Sequence, residues 1–196
     1  EKHPCDSDQG IYESHLECLR RGIDAGAQTI VVFEDDILFH RFSARSLGRV
    51  VRFMKENPGW RLFFFGCFVI AWKRPAFASI AKIRFRCNAH AYVIERQFAQ
   101  MLIGQPWRGI AYDDMLRAVT GDGAYSVYPA FAYQSDSRSD NDKQLKIDRI
   151  RRLLGGVRIL QRWNEFSSRY LIELIIAHVF VIAGLIALAW FLHFER

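Results

Sequence analysis

Thr29-Ile30-Val31-Val32-Phe33-Glu34-Asp35-Asp36 joins a short β-branched apolar run to three adjacent carboxylates. The run shows no apolar–polar alternation. That is the pattern of a central strand covered on both faces of a parallel sheet. Open α/β sheets bind ligands outside the carboxyl ends of their strands, so the acidic triplet falls where chemistry is expected. Three neighbouring carboxylates repel one another, at a cost that a cation or hydrogen-bond donors must offset. Hard oxygen ligands of this kind suit Mg²⁺ or Mn²⁺ held together with a diphosphate. The competing reading is a solvated acidic turn.

The pattern around this strand alternates helices with buried runs. Ile11, His15, Leu16, Leu19 and Ile23 share one helical face behind a predicted N-cap at Asp8, and Ala25-Gly26-Ala27 closes that helix. A second helix is predicted over Arg45 to Glu56, with Leu47, Val50, Val51 and Met54 inward, stopped by Asn57-Pro58-Gly59. Arg61 to Phe65, ended by Gly66, reads as another buried strand, Ala89 to Ile94 as a third and Tyr125 to Pro129 as a last. Short helices are expected over Arg96 to Ile103 and Asp113 to Val119. The sum is an α/β fold with a mainly parallel sheet over residues 1–142. Ser135 to Lys143 reads as a polar loop.

The last part of the 196-residue chain differs in kind. Residues 143–169 carry eight basic and two acidic side chains, whereas residues 1–142 carry 18 and 17, so the net charge of +6 is concentrated in one short stretch. Leu145, Ile150, Leu153, Leu154, Val157, Leu160 and Trp163 recur there at helical spacing around Gly155-Gly156. This predicts a basic amphipathic segment on an anionic membrane surface, or else a solvated helix packed on the domain. From Leu174 to Leu192 only His178 is strongly polar. A run of roughly 20 apolar residues matches the hydrocarbon thickness of a bilayer. A transmembrane helix is therefore expected over 170–194, against the alternative of a buried core helix. Basic residues on its N-terminal flank place the globular part in the cytoplasm. The four cysteines, Cys5, Cys18, Cys67 and Cys87, show no CxxC spacing and read as reduced, mostly buried thiols.

Gly10-Ile11-Tyr12-Glu13-Ser14-His15-Leu16, followed after a gap by Val31-Val32-Phe33-Glu34-Asp35-Asp36, resembles the family 25 glycosyltransferases of lipooligosaccharide synthesis. Asn88 to Ile94, Asp113-Asp114 and Tyr128-Pro129…Gln134-Ser135 follow in that family's order. The resemblance covers about residues 8 to 142. It implies a GT-A-like, Rossmann-type nucleotide-sugar domain, an inverting transfer, and Mn²⁺ or Mg²⁺ at the acidic triplet. By position, Asp36 with Glu34 would ligate the metal, and Ser14, His15, Glu34, Asp35 and Asn88 would line the nucleotide-sugar site. His90 and Gln134 are further lining candidates. Asp113 or Asp114 would accept the proton of the attacking hydroxyl, which an inverting transfer requires. Against these roles stand helix capping for the Asp113–Asp114 pair and core packing for Ser14 and His15. Ile11 stands where the family usually has Cys. The family's opening strand does not occur in this chain, which begins at Glu1 and reads as an N-terminally truncated member.

The enzyme so expected is a single-pass protein of the bacterial inner membrane. Its partners would be a nucleotide-sugar donor, a lipid-linked or envelope glycan acceptor and an anionic membrane surface. A non-catalytic glycan-binding or scaffolding relative is the alternative. A nucleic-acid partner is not expected, because the aromatic residues lie in apolar strand runs such as Phe63 to Phe65 and are not interleaved with Lys or Arg.

Overall fold

A computed structural model describes residues 6–73, 79–135 and 155–194. Helix α1 (Ser7–Asp24) is capped by the Asp6 carboxylate, which accepts from the Asp8 backbone N–H. The cap therefore lies two residues before the predicted one. Tyr12, His15, Leu16 and Leu19 face inward, and Ile11 is exposed. Gly26 at φ +77° ends the helix and turns the chain into β1 (Thr29–Phe33). The acidic triplet follows, then β2 (Ile37–Phe39) and α2 (Ala44–Glu56). Ser43 caps α2, of whose residues Val50 is fully buried while Leu47 and Val51 stay exposed. The long strands β3 (Leu62–Lys73) and β4 (Ile80–Glu95) come next, then α3 (Arg96–Ile103), α4 (Tyr112–Val119), β5 (Ala124–Val127) and β6 (Ala132–Gln134). Among the described residues, α5 (Val157–Arg169) and α6 (Leu171–Phe194) follow.

The main sheet has the order β1-β4-β3-β5, and β2 pairs with β6 in a second, two-stranded sheet. The expectation of mainly parallel pairing is corrected here. β4 runs antiparallel to β1, β3 and β5, and among the described strands β3–β5 is the one parallel pair. β1, β3 and β5 nevertheless point the same way, because β4 is inserted against their direction between β1 and β3. The apolar run of β1 also misleads. Ile30 and Val32 are buried, but Val31 and Phe33 are each about half exposed, so β1 is an edge strand covered on one face.

The pleat sends alternate residues to opposite faces. Leu62, Phe64, Tyr92 and Ile94 pack under α1, α3 and α4. Phe63, Phe65, Ala91 and Val93 pack on the other face with Val50 and Phe131. β3 does not end at Gly66 as predicted. It continues through it with register shifts against β4 between Phe64 and Ala71. A Cβ at Gly66 would collide with the Ala132 carbonyl oxygen, so glycine is what lets β6 close on β3.

Of the basic segment, residues 143–154 lie outside the described residues, as do residues 136–143 of the polar loop. α5 packs on β3 and β6. α6 has no buried residue and is long and apolar enough to cross a membrane. Cys67 is buried, Cys87 half-buried and Cys18 exposed, and Cys5 lies outside the described residues.

Candidate functional site

The acidic triplet forms a turn clamped from two sides. The Glu34 N–H donates to the His90 carbonyl at 2.9 Å, extending the β1–β4 ladder by one residue. The Ser135 N–H donates to the Asp36 carbonyl at 2.9 Å, extending the β2–β6 pair. The three carboxylates consequently have different surroundings. Asp35 is exposed. Glu34 turns inward, with Oε1 at 3.4 Å from His15 Nε2 and Oε2 accepting from Gln134 Nε2 at 3.5 Å. Burial pushes the Glu34 carboxyl up, but the His15 hydrogen bond, with further electrostatic contributions from the His15 and His90 rings, outweighs it and holds Glu34 below its usual value. Asp36 moves the other way. Burial, then the Glu34 charge, raise it, against a hydrogen bond from Gln134. Its Oδ1 is buried without a hydrogen-bond partner. An orphaned carboxylate oxygen beside a second carboxylate fits a divalent cation. Mg²⁺ is usually held by one or two carboxylates plus substrate phosphates. Among the described residues no group of three or more His, Cys, Asp or Glu is placed to hold a metal ion by itself.

His15 joins α1 to this turn. The ring is buried, stacks on Tyr112 with centroids 4.1 Å apart, and places Nδ1 at 3.1 Å from the Tyr92 hydroxyl. Tyr92 and Tyr112 hydroxyls lie 2.9 Å apart. One proton arrangement satisfies the whole chain. Tyr112 donates to Tyr92, Tyr92 to His15 Nδ1, and the His15 Nε2–H faces Glu34. Burial raises both phenols well above the usual tyrosine value, so they stay protonated donors. His15 is thus both a core residue and the brace of the acidic turn. Ser14 is exposed, and its hydroxyl donates to the Gly10 carbonyl within α1.

A second set of contacts meets the turn from α4. Asp113 accepts from the backbone N–H groups of Asn88 at 2.7 Å and Ala89 at 3.1 Å, so both oxygens are engaged. This fixes Asn88 at φ +75°, a conformation that non-glycine residues seldom adopt and Asn tolerates best. Asn88 Nδ2 lies 3.0 Å from His90 Nδ1, and His90 Nε2 lies 3.2 Å from the Ala132 carbonyl. Asp114, on the next helix position, is half exposed and pairs with Arg117 at 2.7 Å. Burial raises the Asp113 carboxyl, and the two backbone donors oppose that.

The structure therefore brings His15, Glu34, Asp36, His90 and Gln134 together, with Asn88 and Asp113 behind them. Ser14 and Asp35 face outward and Asp114 pairs on the surface. Sequence reasoning missed Tyr112 and the contribution of α5, where Gln161 Nε2 donates to the same Ala132 carbonyl at 3.3 Å. No local signal marks either, because both are polar groups on buried helix faces. Beside the turn, Phe33, Phe39 and Phe42 form an exposed aromatic flank, with Phe33 and Phe39 centroids 5.5 Å apart.

No protein-family model matches the chain, and no curated protein matches it. Among solved structures it is similar to "Crystal Structure of A197 from STIV", at 12% identity and a TM-score of 0.46, over 64% of this chain and 67% of that one. A likeness this distant carries no argument about function.

Proposed function

We propose that this protein is a membrane-anchored, inverting glycosyltransferase resembling family 25, with a GT-A-like donor site at the Glu34–Asp36 turn. The observation that carries the reading is the buried, unpartnered Asp36 Oδ1 beside Glu34, at the carboxyl end of β1. Asp36 and Glu34 would hold Mn²⁺ or Mg²⁺, which when bound supplies positive charge to the leaving diphosphate. His15 and Gln134 orient Glu34. Asp113 acts as a positioning residue that fixes Asn88 and, through it, His90. Asp114, which pairs with Arg117 on the surface, is not among the groups gathered at the turn. The exposed Phe33–Phe39–Phe42 flank suits an apolar, lipid-linked acceptor, and α6 would hold the domain at the cytoplasmic face of a bacterial inner membrane.

The test is an assay of nucleotide-sugar transfer or hydrolysis by the full chain with Mn²⁺ or Mg²⁺. Asp36→Ala is expected to abolish activity and metal-dependent nucleotide binding while leaving the fold intact by circular dichroism. Unchanged metal-dependent binding in that variant overturns the assignment. A wild-type chain that binds a glycan without turnover supports the non-catalytic reading instead.

A further inference from the structure

Helix α5 is built inside out. Its inward positions are Val157, Gln161 and Glu165, with Gln161 0% and Glu165 4% exposed. Its outward positions are Ile159, Trp163 and Phe166, at 51%, 63% and 41% exposed. The spacings of the two sets, four apart for the inner and four then three for the outer, put them on nearly opposite sides of a helix with about 3.6 residues per turn. An ordinary surface helix does the reverse, burying its apolar stripe and wetting its polar one.

The inner face cannot be exchanged for the outer one, because its polar groups are used. Asn164 accepts from the Val69 N–H at 2.7 Å and donates to the Val69 carbonyl at 3.0 Å, standing in for a strand neighbour where β3 is irregular. Gln161 donates to the Ala132 carbonyl, and Glu165 accepts from Gln161 and from the Ala130 N–H. The Arg169 guanidinium sits 4.1 Å from the centre of the Tyr128 ring. Rolling the helix to hide its tryptophan would strand these groups without partners.

We infer that the outward stripe of α5 lies in the headgroup layer of an anionic bilayer. Three observations identify the occupant. The helix that carries the stripe runs into α6, with Tyr170 alone between the two helices. Tryptophan with aliphatic neighbours is the composition that favours the interface. Arg158 and Arg162 are exposed and fall along one flank of the stripe, where they meet lipid phosphates. Because the inner face shares the Ala132 carbonyl with His90, the same helix that rests on lipid also backs the acidic turn. The inference rests on α6 crossing the membrane.

Trp163 reports the contact. The full chain is reconstituted in phosphatidylcholine vesicles, with and without phosphatidylserine, containing lipids brominated near the headgroup or at mid-chain. Wild type, Trp163→Phe and Trp190→Phe are compared by fluorescence quenching. Loss of a shallow-quenched component in Trp163→Phe, with Trp190 quenching retained, is the expected result. Arg158→Gln with Arg162→Gln is expected to weaken that component when phosphatidylserine is present. If Trp163→Phe changes nothing while Trp190→Phe removes quenching, α6 is inserted and the inference falls alone. If neither variant changes the quenching, both readings fall. A Trp163 that is shielded from aqueous acrylamide yet not quenched by bromolipid is covered by protein, which also overturns the inference.

Discussion

At the residue scale, Asp113 shows how a carboxylate with a catalytic look can serve the backbone. Two backbone N–H groups at a partly buried site depend on it, and leaving such groups unmet costs about 1–3 kcal/mol each. Asp113→Ala is accordingly expected to lower the melting temperature and to release Asn88 from its positive φ, seen as shifts of the Asn88 and Ala89 amide resonances. A chain that loses turnover but keeps its wild-type melting temperature and amide shifts would return Asp113 to the reacting atoms. The sequence made Asp113 and Asp114 equivalent, because both open a helix. The fold separated them: one helix position turns toward β4, the next toward solvent and Arg117. His15 was legible in part. Its place on the inward face of α1 followed from helical spacing, but its contact with Glu34 needed β1 packed against that helix.

At the element scale, α5 carries a titratable group into the protein. Burial raises Glu165 from 4.5 to about 7, against the hydrogen bonds from Gln161 and Ala130 and the charge of Arg162. The native state therefore keeps a proton that the unfolded chain releases as pH rises above 4.5. Stability falls through that window and is lower by about 3 kcal/mol above pH 7 than below 4.5. Glu165→Gln removes this dependence. It is expected to raise the melting temperature at pH 8, to change it little at pH 4.5, and so to remove the part of the slope between them that Glu165 supplies. A wild-type chain whose melting temperature does not fall between those pH values would contradict the buried position of Glu165. The helices α1 to α4 were legible to within two residues, because caps and apolar spacing are local. The sheet was not. An apolar run reads alike in a central parallel strand and at a half-covered edge, and the reversal of β4 is decided by where a chain segment inserts.

At the scale of the whole molecule, two charge and hydropathy regimes share one chain. Residues 1–142 are nearly neutral, the next 27 carry the surplus of positive charge, and α6 exposes Ile, Val, Leu and Phe throughout. Exposed apolar surface on that scale marks an interaction surface for a membrane or another protein. The full chain is expected in the carbonate-resistant membrane fraction. Val181→Arg with Leu185→Arg, each costing about 2.5–3.5 kcal/mol at a helix centre, should move it to the extractable fraction. An unchanged distribution would show that something other than α6 holds the protein to membranes.

The sequence by itself determined the helices, the acidic turn after an apolar strand, the basic stretch and the long apolar helix. Each depends on spacing or composition within a few turns of chain. Only the tertiary structure decided the strand order, the different fates of Glu34, Asp35 and Asp36, and the outward apolar face of α5. Those outcomes turn on which groups meet from distant positions. Asn164 reaches Val69 and Gln161 reaches Ala132, while His15 reaches Glu34. A buried hydrogen-bonding group is satisfied by its partner in space, and spacing along the chain carries no record of that partner.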